Sequence, residues 1–285
     1  MWSGSSTAPS PICLALNSMK NYFIQGILLI VTFLLGWWLL SQVDWVSILR
    51  IKPAKEIADE KLGKLIFSTF EKEVVKAKSV TLPLDTLKRR ICQANGIDEK
   101  TIKLYAIHSN EINAFALPYG YVMVNLGLIA KCEDEAALAG VLAHEIAHIQ
   151  KNHISKKLVK EIGAAAIGKI ILNDAAGELL SEVVHVVTSR AYDRGLESEA
   201  DQLATSYLCK AGIETKPFAE LMKKLEKDAS LDAFKWVSTH PDNEERAAQI
   251  TRDGAACTNA NSKILAEPTW QELKTKSEIS SEKNL

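Results

Sequence analysis

Cysteine is scarce in this 285-residue chain, with five residues at positions 13, 92, 132, 209 and 257. No two of them are spaced as CxxC, so a cysteine-based zinc ribbon and a thioredoxin-type redox motif are both excluded. An odd number in a chain of this size does not describe a disulfide-stapled scaffold. Buried free thiols are the expected state. Cys92–Cys132 or Cys209–Cys257 are the pairs open to bridging in an oxidising compartment. A charge excess is missing as well. Lys and Arg number 34 against 35 Asp and Glu, a formal net charge of −1. The electrostatic footprint of a nucleic-acid binder is therefore absent, and no nucleic-acid partner is expected. No internal repeat is visible. What is present is the balance of a globular protein, 47% hydrophobic and 24% charged residues, over a length that allows one or two domains.

The apolar content is uneven. Phe23 to Leu40 run for eighteen residues without a charge, about 27 Å of helix, enough to cross a hydrocarbon core. Trp37, Trp38 and Trp45 crowd its C-terminal end, where an interfacial aromatic belt belongs. A cleaved signal peptide needs a shorter run and a small-residue cleavage site, and no A-x-A follows. Residues 19–50 are thus expected to be a retained single-pass anchor, meeting the lipid bilayer through residues 23–40. Met19-Lys20-Asn21-Tyr22 reads as a natural start, which makes residues 1–18 an unstructured extension. Lys20 on one side against Arg50, Lys52 and Lys55 on the other favours a cytoplasmic C-terminal side. A single N-terminal bacterial signal-anchor instead places the large domain extracytoplasmically. The extracytoplasmic side is the expectation, with orientation left open.

Beyond a short linker at 51–55, apolar spacing predicts a helix over 56–78 and a second over 83–95. Residues 101–107, 113–117 and 121–124 read as short strands, the last two separated by the turn signal Pro118-Tyr119-Gly120. Long helical patterns occupy 133–154 and 177–208, with a small-residue apolar stretch at 162–172 between them. Shorter helices are expected at 216–228 and 243–253. From residue 258 the chain turns polar, and 258–285 is expected to be a flexible tail with at most a turn at 268–274. The fold class is α+β: one mainly helical domain over 56–255 with a small β-sheet, preceded by the transmembrane helix.

Within the helix at 133–154 stands His144-Glu145-Ile146-Ala147-His148, an HExxH. Helical positions four apart project from one face, so both imidazoles can meet one metal ion. Two neutral imidazole nitrogens suit zinc, and Glu145 beside them can take a proton from a water that the metal activates. Ala137 to Ala143 make this a buried helix, where a Glu and two His are costly unless they serve a site. A third protein ligand is still needed. His153 lies nine residues after His144, about 180° round a continuous helix. The metzincin pattern needs a Gly at 151, which is Lys, so His153 reads as surface or structural. The better donor is Glu197-Ser198-Glu199-Ala200-Asp201, in which Glu197 and Asp201 share a face and Glu199 points away. Asp201 can orient a ligating His through its other ring nitrogen. His108 and His185 are isolated and take no role.

HExxH followed by ExxAD resembles the HtpX/CAAX-prenyl-protease/BepA-like family of membrane-associated, gluzincin-type zinc metallopeptidases. Three further stretches carry the likeness. Residues Asn113-Ala114-Phe115-Ala116-Leu117-Pro118-Tyr119-Gly120 are similar to the family's NAFxxPxG strand and turn. Leu138-Ala139-Gly140-Val141-Leu142-Ala143 leads into the HExxH as it does there. Thr239-His240-Pro241 with Arg246 resembles THPxxxxR. Asp193-Arg194 departs from the common Ser-Arg, while Arg194 and Glu197 keep their spacing. The resemblance spans about 56–252 and implies a zincin-like domain with one Zn2+ per subunit. It implies His144, His148 and Glu197 as metal ligands and Glu145 as catalytic. His240 would lie over the metal, stabilising the oxyanion or filling zinc's open position in a latent state. Asp201, Arg194 and Arg246 would support the ligands or make structural salt links. Tyr121, Val122, Met123, Val124 and Asn125 would form an edge strand that pairs with substrate main chain.

The expected function is a membrane-anchored zinc metalloendopeptidase acting on unfolded or misfolded polypeptides in quality control of envelope or membrane proteins. The alternative is a catalytically latched or inactive chaperone-like binding module. A membrane-fixed hydrolase of small amides or lipopeptides would use the same site.

Overall fold

The structure is a computed structural model that describes residues 25–36, 51–172, 177–228, 235–257 and 263–282. The chain divides into two compact units, residues 1–55 and 56–285. In the first, residues 25–36 are helical, with Leu29 and Phe33 among its exposed apolar side chains. No helix among the described residues is long and apolar enough to cross a membrane. The span expected at 23–40 lies only in part within them; its remaining residues, the tryptophans at 37, 38 and 45, and the extension at 1–18 fall outside.

The expected linker at 51–55 is helical, and α1 runs Ile51–Phe70. Pro53 falls in the first turn, where a missing amide costs no intrahelical bond. In the second unit α1 buries Leu62 and Ile66. Next come α2 (Lys78–Ala94) and three strands, β1 (Lys103–Ile107), β2 (Ala114–Leu117) and β3 (Tyr121–Asn125). Sheet order is β1-β3-β2. β3 pairs parallel with β1, Lys103 opposite Tyr121, and antiparallel with β2, Ala114 opposite Val124. The strand at Tyr121–Asn125, expected at an edge, is therefore central. Its five residues are all buried, as a strand covered on both faces requires. The turn between β2 and β3 is tight, with Tyr119 at φ 64° and Gly120 at φ 80°. A Cβ on Gly120 would stand 1.9 Å from the Thr101 carbonyl oxygen. The outer side of β1 is engaged at Val74, which bridges Ile107, and at Val75, whose amide donates to Ala106. The edge position falls to β2, whose four residues are also buried.

After α3 (Leu126–Lys131) comes α4 (Glu135–Gln150), capped by Asp134, whose carboxylate accepts the Ala137 amide at 2.8 Å. Every α4 residue from Ala137 to His148 is buried. Gly140 lets Phe218 close onto the helix; a Cβ there would lie 2.3 Å from that side chain. The continuous helix expected over 133–154 breaks at Asn152, which is left-handed (φ 54°, ψ 33°), and α5 begins at His153 (His153–Ile162). Asn tolerates that conformation better than most residues. α6 (Ala164–Ile171) follows. The second long pattern also divides, into α7 (Glu178–Ser189) and α8 (Arg194–Ala211), with Tyr192 between them donating its amide to Thr239.

α9 (Lys216–Asp228), α10 (Lys235–Thr239) and α11 (Asn243–Gly254) follow; α9 packs on α4, and α11 packs on α8 and α9. Cys209 at the end of α8 is bridged to Cys257 beyond α11, with Cα atoms 5.3 Å apart, while Cys92 and Cys132 are buried free thiols. The tail expected to be flexible from 258 contains α12 (Glu267–Glu282). Its apolar residues are few, but Trp270, Leu273 and the small Ser277 share one buried face packed toward α2 and α3. Just before it, the Ile264 and Leu265 amides each donate to the Glu135 carboxylate at 2.6 Å.

Candidate metal centre

α4 and α8 pack along one another, and their facing residues build the site. α4 brings His144, Glu145 and His148; the first turn of α8 brings Glu197; the loop after α10 brings His240. All five side chains are buried. His144 Nε2 lies 2.9 Å from His148 Nε2 and 3.2 Å from His240 Nδ1. His240 Nδ1 lies 3.0 Å from Glu197 Oε1. The Glu197 carboxylate is 3.6 Å from His144 Nε2 and 3.4 Å from His148 Nε2. These four residues form one group able to hold a metal ion. Ligand distances of about 2.0–2.1 Å in a tetrahedron set donor atoms about 3.3 Å apart. The observed spacings match, and three imidazoles with a carboxylate are a donor set that zinc accepts.

The supports differ from ligand to ligand. His144 Nδ1 lies 2.9 Å from Asp201 Oδ1, which holds a ring proton there and leaves Nε2 as a lone pair aimed into the group. Arg246 on α11 grips Asp201 with two donors, at 2.6 and 2.9 Å, and also pairs with Glu197. Trp236 stacks on His240 with ring centroids 4.0 Å apart, and the Tyr192 ring centroid lies 5.5 Å from that of His240 and 4.1 Å from that of His148. The Lys157 ammonium sits 3.9 Å above the Tyr192 ring. Glu145 has neither carboxylate oxygen hydrogen-bonded; His240 Nε2 is 3.5 Å away, and the Ala116 main chain of β2 faces it.

The charge states follow from burial first. Burial pushes the Glu145 carboxyl well above the usual carboxylate range, and the Glu197 charge adds to the effect. For Glu197 itself burial acts upward but is outweighed by His240 and Arg246, which hold it well below that range. Burial lowers His148 to about 3 and His240 to about 4, and Lys157 to about 8. The histidines are thus neutral, as ligation requires, and one carboxylate is ionised while its neighbour is set to exchange a proton.

Of the expected site residues, His144, Glu145, His148, Glu197, Asp201, His240 and Arg246 meet. Arg194 does not: its side chain is 83% exposed and pairs with Asp242 at 2.7 Å, on the loop beyond His240. Tyr121–Asn125 is one strand removed from the site. His153 is fully buried, with Nδ1 3.1 Å from His148 Nδ1. The sequence reading missed Tyr192, Trp236 and Lys157. An aromatic flanking a loop carries no spacing signal, and a lone Lys reads as solvated.

Comparison with known proteins gives a match to the model of peptidase family M48 over residues 81–253. The chain is 30% identical over 193 residues to a putative beta-barrel assembly-enhancing protease of Vibrio cholerae, covering 58% of this chain and 39% of that protein. It is 31% identical over 173 residues to the mitochondrial metalloendopeptidase OMA1 of Bos taurus, covering 55% and 33%. To the Schizosaccharomyces pombe mitochondrial metalloendopeptidase OMA1 it is 26% identical over 214 residues, covering 70% and 60%. The chain thus spans between about a third and six-tenths of the length of these relatives.

Proposed function

This chain belongs to peptidase family M48, and on that premise we propose that it is a zinc-dependent metalloendopeptidase that hydrolyses unfolded or misfolded polypeptides. It is anchored in a lipid bilayer by one pass through residues 23–40, with its catalytic domain on the extracytoplasmic side. There it serves quality control of envelope or membrane proteins. The observation that carries the chemistry is the convergence of four donor atoms beside a buried Glu that no side chain hydrogen-bonds. The Cys209–Cys257 bridge supports placement on an oxidising side. The printed roles of the bacterial and mitochondrial relatives support a protein substrate.

His144, His148 and Glu197 would hold the zinc, which when bound supplies Lewis-acid polarisation of the scissile carbonyl. Glu145 does the proton work. As the carboxylate it takes a proton from the attacking water on one oxygen and returns it to the leaving amine. Asp201 and Arg246 keep His144 oriented and Glu197 ionised. The outer edge of β2, whose Ala116 main chain faces Glu145, offers backbone groups for an extended peptide to pair with. Trp236 and Tyr192 wall His240 and keep water from the donor atoms.

The test is metal analysis and casein cleavage by the full chain and by Glu145→Gln. The variant should keep its zinc and lose about 10²–10⁴-fold in rate. A wild type that holds no zinc sinks the reading, and zinc loss in Glu145→Gln contradicts the base assignment.

A latched form is favoured by one observation: His240 Nδ1 stands among the ligand atoms, where it fills the position a substrate carbonyl needs. His240→Ala should then cleave casein faster than wild type. A chaperone-like module without latent activity would stay silent in that variant.

A further inference from the structure

His148 presents Nε2 to the donor group and has its Nδ1 buried on the far side of the ring. That second nitrogen needs a partner of its own. It faces His153 Nδ1 at 3.1 Å, with the two rings crossing at 75°. His153 Nε2 lies 3.1 Å from Glu199 Oε2, and Glu199 Oε1 lies 2.7 Å from Lys151 Nζ. The tautomers can be assigned from the surface inward. An ionised carboxylate only accepts, so His153 Nε2 carries the proton and donates to Glu199. His153 Nδ1 is then the acceptor. His148 Nδ1 must be its donor, which leaves His148 Nε2 as a lone pair aimed at the ligand group. The opposite assignment would set the His153 Nε2 lone pair against the Glu199 carboxylate and put the His148 proton on Nε2, within the ligand group.

We infer that His153 is a positioning residue for the metal centre, fixing the tautomer and ring angle of His148 through a Glu199–His153–His148 relay that ends at the protein surface. The inference rests on the metal-centre reading proposed above. It explains why a fully buried His occupies the first position of α5, where an apolar residue would pack without needing two hydrogen bonds. It also gives a purpose to the break at Asn152: a straight helix would have turned residue 153 away, whereas the left-handed residue folds it back beneath His148. One stretch of α8 then serves both histidines. Asp201 touches His144, Glu199 reaches His148 through His153, and Glu197 lies between the two as a ligand.

The experiment is zinc-chelator competition on the full chain, with the visible spectrum of the cobalt-substituted protein as a second readout. His153→Phe keeps the ring volume and removes the acceptor. It should weaken zinc about 10–100-fold and shift the cobalt bands. His153→Asn places a side-chain oxygen where Nδ1 stood and should restore most of both. Glu199→Ala, at a half-exposed site with little bearing on folding, should weaken zinc by less than the Phe variant. If His153→Phe binds zinc as wild type does, or if Asn is no better than Phe, the inference is overturned while the metal-centre reading survives. If Phe fails to fold, wild-type affinity in Glu199→Ala together with an unshifted cobalt spectrum overturns it. A wild type without zinc affinity overturns both.

Discussion

His144 and His148 sit one helical turn apart, point the same way, and are held by different means. Behind His144 is a closed interior: the Asp201 carboxylate, gripped by two donors of Arg246, which also pairs with Glu197. Behind His148 is an open-ended line: His153, then Glu199, then Lys151, with the last two about two-fifths exposed. The lesson is that a buried ion pair and a neutral relay reaching solvent can orient the same ligand type. They should fail under different insults, since one depends on charge neutralisation out of water and the other on keeping imidazoles neutral.

Arg246→Ala attacks the closed side and should have the largest effect. It leaves Asp201 and Glu197 buried without their cation, at a cost of about 3–5 kcal/mol in denaturant unfolding. A loss under 1 kcal/mol would mean that water reaches this side as readily as the other. Acid attacks the histidines, and the sign follows from their lowered values. His148 is pushed by burial from the ordinary 6.5 to about 3, and His240 to about 4. Stability from each is fully present above about pH 6.5 and is lost as the pH falls toward those values. For His148 alone that amounts to roughly 2 kcal/mol between pH 7 and pH 5, read as a falling Tm in chelator. A flat Tm over that range would contradict neutral buried rings. Lys151→Ala, at the solvent end of the open side, should leave the denaturant midpoint essentially unchanged. A marked fall would show that the relay is as tightly coupled as the ion pair and would erase the contrast.

The HExxH was legible because its geometry is local: two residues four apart on any helix share a face. Glu197 needed its partner motif, since a carboxylate on a helix is by itself an ordinary solvated residue. His153 escaped because its placement depends on one left-handed residue, and an Asn within the polar stretch Gln150-Lys151-Asn152-His153 does not by itself announce a break. Strand order escaped for a similar reason. Residues 114–117 and 121–125 are uniformly buried, so no alternation tells centre from edge. The helix at 267–282 hides its packed face, Trp270, Leu273 and Ser277, among charged residues. The apolar run at 23–40, expected to be an anchor, is the plainest feature of the composition, yet it falls only partly among the described residues.

The amides of Ile264 and Leu265 meet the first turn of the HExxH helix at Glu135, across 129 and 130 positions of sequence. The late part of the chain is therefore a clamp on the start of the motif helix. Trimming behind residue 257 to obtain a smaller, better-crystallising fragment would deprive a buried carboxylate of two donors and strip Trp270 from its seat. An affinity handle placed between Cys257 and Lys263 would pry at the same joint, nine residues ahead of His144.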